Sequence, residues 1–132
     1  MAAPIYLFTG PEIGNRNEQV ETIKNSLTKK FGDLDSYLLY ASDSKIEDII
    51  AKLQTESLFI PATCVVLREA ELLKKKEEIE LIASWLKTAK DTATLILVSD
   101  EISVDAKLTK LVPNEHKQIF WAIDESRLGD WV

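Results

Sequence analysis

The sequence predicts an α/β fold in which a five-stranded parallel sheet carries helices on both faces. Three observations predict it. Short β-type runs occur at Ile5–Thr9, Ser36–Ala41, Thr63–Leu67, Thr94–Ser99 and Gln118–Ile123. Several of these are almost continuously apolar, as strands buried on both faces of a parallel sheet must be. Helical-period stripes separate them, so the order reads βαβαβαβαβ, and strand–helix–strand units of this kind close with right-handed crossovers.

Each helix has its own signal. Val20, Ile23, Leu27 and Phe31 recur at helical spacing, and Gly32 follows as a stop. Ile46, Ile49, Ile50 and Leu53 follow the i, i+3, i+4, i+7 pattern, and Ser44 with Glu47 has the spacing of a capping box. Ile79, Ile82, Ala83 and Leu86 form a third stripe. Val104, Leu108 and Leu111 predict a short fourth helix ended by Pro113.

Size and charge narrow the function classes. The chain has 132 residues, enough for one core and too few for two. Its net charge of −6 argues against unaided binding to nucleic acid, which depends on counterion release by basic groups. The run Lys74-Lys75-Lys76 is followed within four positions by Glu77, Glu78 and Glu80, the pattern of a solvated helix start. No run approaches the ~18 apolar residues of a membrane span, and Met1–Phe8 lacks the features of a signal peptide. Cys64 is the only cysteine and sits in the apolar run Cys64-Val65-Val66-Leu67, so a buried thiol in a reducing, cytoplasmic compartment is expected. A catalytic Cys/His pair would need His116, which lies far along the chain in a polar stretch.

In folds of this class the first strand often feeds a glycine-rich loop and a helix N-terminus that cradle phosphate. Here that loop is Thr9-Gly10-Pro11-Glu12-Ile13-Gly14-Asn15-Arg16-Asn17. A working P-loop reads G-x-x-x-x-G-K-[ST]. Gly10 and Gly14 are one residue too close, Asn15 holds the lysine position, and Asn17 is not the magnesium-binding hydroxyl. Glu12 places negative charge where phosphate oxygens would lie. The third strand departs in the same sense: where a Walker-B strand ends in magnesium-holding acids, Val65-Val66-Leu67 runs into Arg68-Glu69. A P-loop-like shape without hydrolysis is the expectation, with no catalytic residue, cofactor or metal.

The second helix ends in Leu53-Gln54-Thr55-Glu56-Ser57-Leu58-Phe59-Ile60-Pro61. With Ile46 at zero and about 100° per residue, Ile49, Ile50 and Leu53 fall within about 60° of it, while Leu58 falls near ~120° and Phe59 near ~220°. A helix continued that far points both away from the core; a chain bent at this end turns both inward.

The segment Gln54…Ser57-Leu58-Phe59 resembles the bacterial sliding-clamp-binding motif, a Gln followed after a short spacer by Ser-Leu-Phe. Together with the degenerate first turn, the apolar third strand and the terminal Trp131-Val132, it resembles the N-terminal domain of the delta subunit of bacterial DNA polymerase III, over essentially the whole chain. The resemblance implies an AAA+-like three-layer sandwich with strand order 5-1-4-3-2, the first strand central and flanked by the fourth and fifth. Ile5, Leu7, Val66, Leu95 and Leu97 are then expected in the core. It also implies a non-catalytic clamp-loader subunit of the polymerase holoenzyme that binds the sliding clamp, its beta subunit, and helps open the ring. Leu58 and Phe59 would fill an apolar pocket, Gln54 would orient them and Ser57 would allow close approach. Other loader subunits would be met through a helical and a collar domain beyond residues 1–132, and DNA only indirectly, with no membrane partner. The chain, ending on Trp131-Val132, reads as a fragment of such a protein. Two other classes compete. A variant P-loop enzyme requires magnesium-dependent nucleotide binding, and a receiver-like signalling module requires an acidic cluster with an acceptor Asp where Arg68 stands.

Overall fold

The computed structural model describes residues 4–54, 60–90, 92–102 and 104–120. The order is β1 (Ile5–Thr9), α1 (Ile13–Phe31), β2 (Asp35–Tyr40), α2 (Ile46–Gln54), β3 (Thr63–Arg68), α3 (Lys76–Thr88), β4 (Ala93–Ser99), α4 (Ala106–Leu111) and β5 (Lys117–Ile119). Short 3-10 turns at Ala70–Leu72 and Asn114–His116 precede α3 and β5. The sheet runs β2-β3-β4-β1-β5 with every pairing parallel, which is the expected 5-1-4-3-2 order. β1 is flanked by β4 and β5 as expected, but the middle strand is β4, all seven residues of which are buried.

Period-two alternation divides the core between the two faces of the sheet. On one face Ile5, Leu7, Val65, Leu67, Leu95 and Leu97 meet Ile46, Ile49, Ile50 and Leu53 of α2, Ile79, Ile82 and Trp85 of α3, and Leu108 of α4. On the other, Phe8, Cys64, Val66, Ile96, Val98 and Phe120 meet Val20 and Ile23 of α1. Each fully buried Leu, Ile or Phe contributes about 1.5–3 kcal/mol, so both faces stabilise the fold strongly. The sheet is unevenly covered. On the edge strand β2, Tyr37 and Leu39 pack into the larger core while Leu38 and Tyr40 on the α1 side are 52% and 40% exposed.

α1 ends as read from the sequence: Gly32 takes φ +92° and its N–H donates to Thr28 O at 2.8 Å. Two local readings need correction. The helix after β2 starts one residue later than a Ser44/Glu47 box requires. Lys45 immediately precedes it, and the Lys45 carbonyl accepts from Asp48 and Ile49 N–H. In α3 the third buried position is Trp85, while Ala83 and Leu86 are only half-buried; the buried arc is centred on Ile82, and Ala83 points about 200° away from Trp85 around the helix. His116, despite its polar neighbours, is buried and stacks on Tyr6 with ring centroids 4.2 Å apart. The continuation of β5 to Ile123, the motif residues Ser57, Leu58 and Phe59, and Trp131-Val132 lie outside the described residues.

Candidate functional site

Open parallel sheets bind ligands at the C-terminal ends of their strands, where the strand order reverses. Here that point lies between β1 and its neighbours β4 and β5, at the loop leaving β1. Gly10 opens the loop at φ +108°, in the left-handed half of the map where a side chain is strained. Its N–H lies 3.1 Å from Ser99 O and 2.8 Å from Glu101 O. A Cβ on Gly10 would stand 2.1 Å from Phe120 O. Phe120 N–H donates to Thr9 O at 2.7 Å, and Glu12 N–H donates to Phe120 O at 3.2 Å. The backbone that follows β5 thus packs directly against the loop.

The N-terminus of α1 is also occupied from within. Glu12 is its N-cap, and the carboxylate accepts from Gly14 N–H at 3.3 Å and Asn15 N–H at 2.8 Å. These are the orphan amides that attract an anion to a helix start. The negative charge expected at the phosphate position is therefore the protein's own carboxylate, covalently attached.

Arg16, one turn into α1, has no exposed surface. Its Nη1 donates to Gly10 O at 2.8 Å and Ser99 O at 3.0 Å, and stands 2.7 Å from Asp100 Oδ1. Nε and Nη2 are buried without a protein partner among the described residues, which raises the cost of the buried charge. One guanidinium ties the β1 loop to the end of β4. Nothing in the loop's residue pattern marks Arg16 as buried.

The two positions that would hold magnesium face each other. Arg68, closing β3, donates from Nη2 to Asn17 Oδ1 at 3.3 Å. Glu69, next in the chain, adopts φ 64° and accepts from Ser42 N–H at 3.2 Å and Ser42 Oγ at 2.6 Å, which draws it toward β2. Glu71 accepts from Ser99 Oγ at 2.8 Å. Glu69, Glu71 and Asp100 thus each have a protein partner, and a cation stands where the metal would be. Among the described residues no group of three or more His, Cys, Asp or Glu side chains could hold a metal ion.

Cys64 and His116 do not form a pair. β4 and β1 separate β3 from β5, which places them roughly 14 Å apart at ordinary strand spacing. His116 Nδ1 lies 3.0 Å from Ile5 O, so it donates to that carbonyl. Burial pushes the Cys64 thiol up to about 12, the opposite of what a nucleophile needs.

Gln54 sits at the other end of the sheet. It is the exposed last residue of α2 and lines a cavity of about 380 Å³ with Leu53, Ile60, Trp85, Thr88 and Lys90, beside the starts of β3 and β4. Of the four residues assigned to partner binding, only Gln54 is among those described; Ser57, Leu58 and Phe59 are not.

A five-stranded parallel sheet in the order 5-1-4-3-2, whose first strand feeds a glycine-bearing loop and a helix start capped by Glu12, defines a class: a P-loop-like α/β domain. The family description "DNA polymerase III, delta subunit" matches residues 6–120, and the chain belongs to that family. Among solved structures it is similar to the Bacillus subtilis DNA clamp loader delta protein (YqeN), with a TM-score of 0.69 at 19% sequence identity. The match covers 98% of this chain and 42% of that one, so the chain spans less than half the length of this relative. No curated protein matches the sequence. Among the described residues no helix is long and apolar enough to cross a membrane.

Proposed function

We propose that this chain is the clamp-binding domain of a clamp-loader delta subunit. It grips the polymerase III sliding clamp and favours the opened ring during DNA replication, without hydrolysing ATP. The observation that carries this reading is membership of the delta-subunit family across residues 6–120. The self-filled strand ends support the absence of hydrolysis, since Glu12, Arg16 and Arg68 occupy the phosphate, loop and metal positions. Gln54, Ser57, Leu58 and Phe59 are the proposed contacts. Leu58 and Phe59 act as apolar anchors, Gln54 orients them from the end of α2, and Ser57 gives room for close approach. Ring opening requires no chemistry here, only tighter binding to the open clamp than to the closed one. Contacts to other loader subunits belong to domains beyond this one, and the working compartment is the bacterial cytoplasm.

Capture of the purified sliding clamp by the 132-residue chain, beside a Leu58→Ala/Phe59→Ala variant, tests the reading. Capture by the parent and loss in the variant are expected. Equal capture by both removes the assigned site. Phosphate release from ATP and magnesium should match a protein-free control, and turnover abolished by changing Arg16 or Glu69 would overturn the non-catalytic half.

A further inference from the structure

The crossovers of the sheet do not share one direction. β1 to β2 runs toward one edge, and the later connections run back toward the other. With right-handed crossovers α1 therefore stands alone on its face, while α2, α3 and α4 share the opposite one. A helix about 10 Å across spans about two strands at their ~4.8 Å spacing, so one helix leaves part of a five-stranded face open. The open part includes the edge strand β2, where Ser36, Leu38 and Tyr40 are exposed on the α1 side.

The same three residues turn their backbone to the free edge. Asp35 N–H donates to Ala62 O at 2.8 Å and Ala41 N–H to Arg68 O at 3.0 Å, both toward β3. Backbone groups along a parallel strand alternate in direction, so the N–H and C=O of Ser36, Leu38 and Tyr40 point away from β3. Among the described residues these N–H groups have no acceptor, and of the carbonyls only Tyr40 O is used, by Asp43 N–H at 3.0 Å. The usual guards of an edge strand are missing: Asp35–Tyr40 holds no proline or lysine, and its register with β3 runs through all six residues without a bulge.

Beside Leu38 the sheet and α1 frame a notch of about 180 Å³, floored by Val66 and Val98 and edged by Lys24 and Arg68. Lys24 is paired with Glu21 at 3.2 Å. Arg68 donates only to the Asn17 amide oxygen at 3.3 Å, and its Nε is buried without a partner among the described residues. Arg68 lies in register with Tyr40. A chain of net charge −6 thus sets a cation with no carboxylate of its own beside an open, apolar strand edge.

We propose that the outer edge of β2 docks an extended segment of another protein, which adds a strand to the sheet and carries an apolar residue opposite Leu38 and an acid opposite Tyr40. Main-chain bonds to the three outward residues supply affinity, and alternate side chains supply specificity. Opposite residues on neighbouring strands share a face, so both side chains lie on the α1 side, the apolar one against Leu38 and the carboxylate on the Arg68 row. The site lies on the face opposite α2 and uses none of the clamp contacts proposed above, so it stands independently of that reading.

The probe is a synthetic peptide alternating threonine and valine, with glutamate at one valine position, added to the isotope-labelled 132-residue chain. With peptide at about ten times its dissociation constant, amide hydrogen exchange at Ser36, Leu38 and Tyr40 should slow about tenfold. Glutamine in place of the glutamate should weaken binding about twofold to fivefold, and Arg68→Gln in the protein should erase that difference. Leu38→Lys, a change at an exposed position, should abolish binding with little change in melting temperature. The proposal is overturned by unchanged exchange at saturating peptide, or by equal affinity of the parent for the two peptides. It is also overturned by protection that grows with protein concentration in the absence of peptide, which makes this edge a contact between copies of the chain.

Discussion

At the C-terminal ends of its strands the sheet is closed by short bonds among its own groups. At the N-terminal ends it leaves a cavity of about 380 Å³ bounded by Gln54, Ile60 and Trp85. The first region carries the elements of a phosphate site: a left-handed Gly10, a helix N-terminus and a cation in the first turn. Each of these is satisfied internally, by Phe120 O packed against the loop, by the Glu12 carboxylate and by the carbonyls and acid around Arg16. At the second region Gln54 stands exposed beside the cavity. A fold can therefore keep the shape of a nucleotide site as pure structure once its own side chains supply the ligand's charges. The exposed polar group at a helix end lies at the opposite pole.

The contrast can be broken most sharply at Gly10. Gly10→Ala is expected to destabilise the domain by about 3 kcal/mol or more, read by denaturant unfolding, because it adds both backbone strain and a clash with Phe120 O. Gly32→Ala is the control. It shares a positive φ but meets nothing within 4 Å, so about 1 kcal/mol is expected. Similar losses at both glycines would mean that the loop is not closed as tightly as described.

Arg16→Met comes next. It removes a buried cation and its bonds to Gly10 O and Ser99 O while keeping much of the stem, and should cost about 2–3 kcal/mol of unfolding free energy. Asp100→Asn should cost well under half of that, since Asp100 is 75% exposed and water screens its side of the pair. A stabilised Arg16→Met protein would show that the buried charge is a burden on the fold rather than a brace.

The proposed contacts come next: Leu58→Ala/Phe59→Ala should weaken clamp binding by about 2 kcal/mol or more, roughly thirtyfold, while folding stability stays within about 1 kcal/mol. Unfolding of the variant, with normal binding by the folded remainder, would place the pair in the core and dissolve the proposed division between the two ends.

The smallest effect concerns Cys64, buried between the two poles. Its folded pKa of about 12 lies above the ordinary thiol value of 9.0, with burial as the main cause. The unfolded chain therefore loses this proton first as pH rises. The stabilisation is complete below about pH 9 and is lost as pH climbs toward 12. Thiol alkylation at pH 8 should accordingly be slow in the folded protein and fast in denaturant. Fast alkylation of the folded chain would mean that the α1 face of the sheet opens readily.

Much of this was legible in the residues. Strand runs such as Cys64–Leu67 and Leu95–Val98 could only be buried on both faces, the alternation of strand and helix forced parallel pairing, and Gly32 marked the end of α1. The anionic character of Glu12 and the cation at Arg68 were visible as departures from a phosphate-binding pattern. The half-exposed character of β2 was not. Tyr37-Leu38-Leu39 reads as a buried run, and only its place at the sheet edge leaves Leu38 and Tyr40 partly exposed.

What the sequence determined by itself is therefore local or periodic: the class of fold, the sites where helices stop, the missing lysine and metal acid, and the family resemblance. What tertiary structure alone decided is the pairing of groups distant in the chain. Arg16 and Ser99 are 83 residues apart, Arg68 and Asn17 are 51 apart, and Asp35 meets Ala62 only because β2 lies beside β3. A buried arginine and a solvated one look alike in a sequence, since burial of a charge depends on whether the fold brings carbonyls and a carboxylate to it, and no local pattern encodes that arrival.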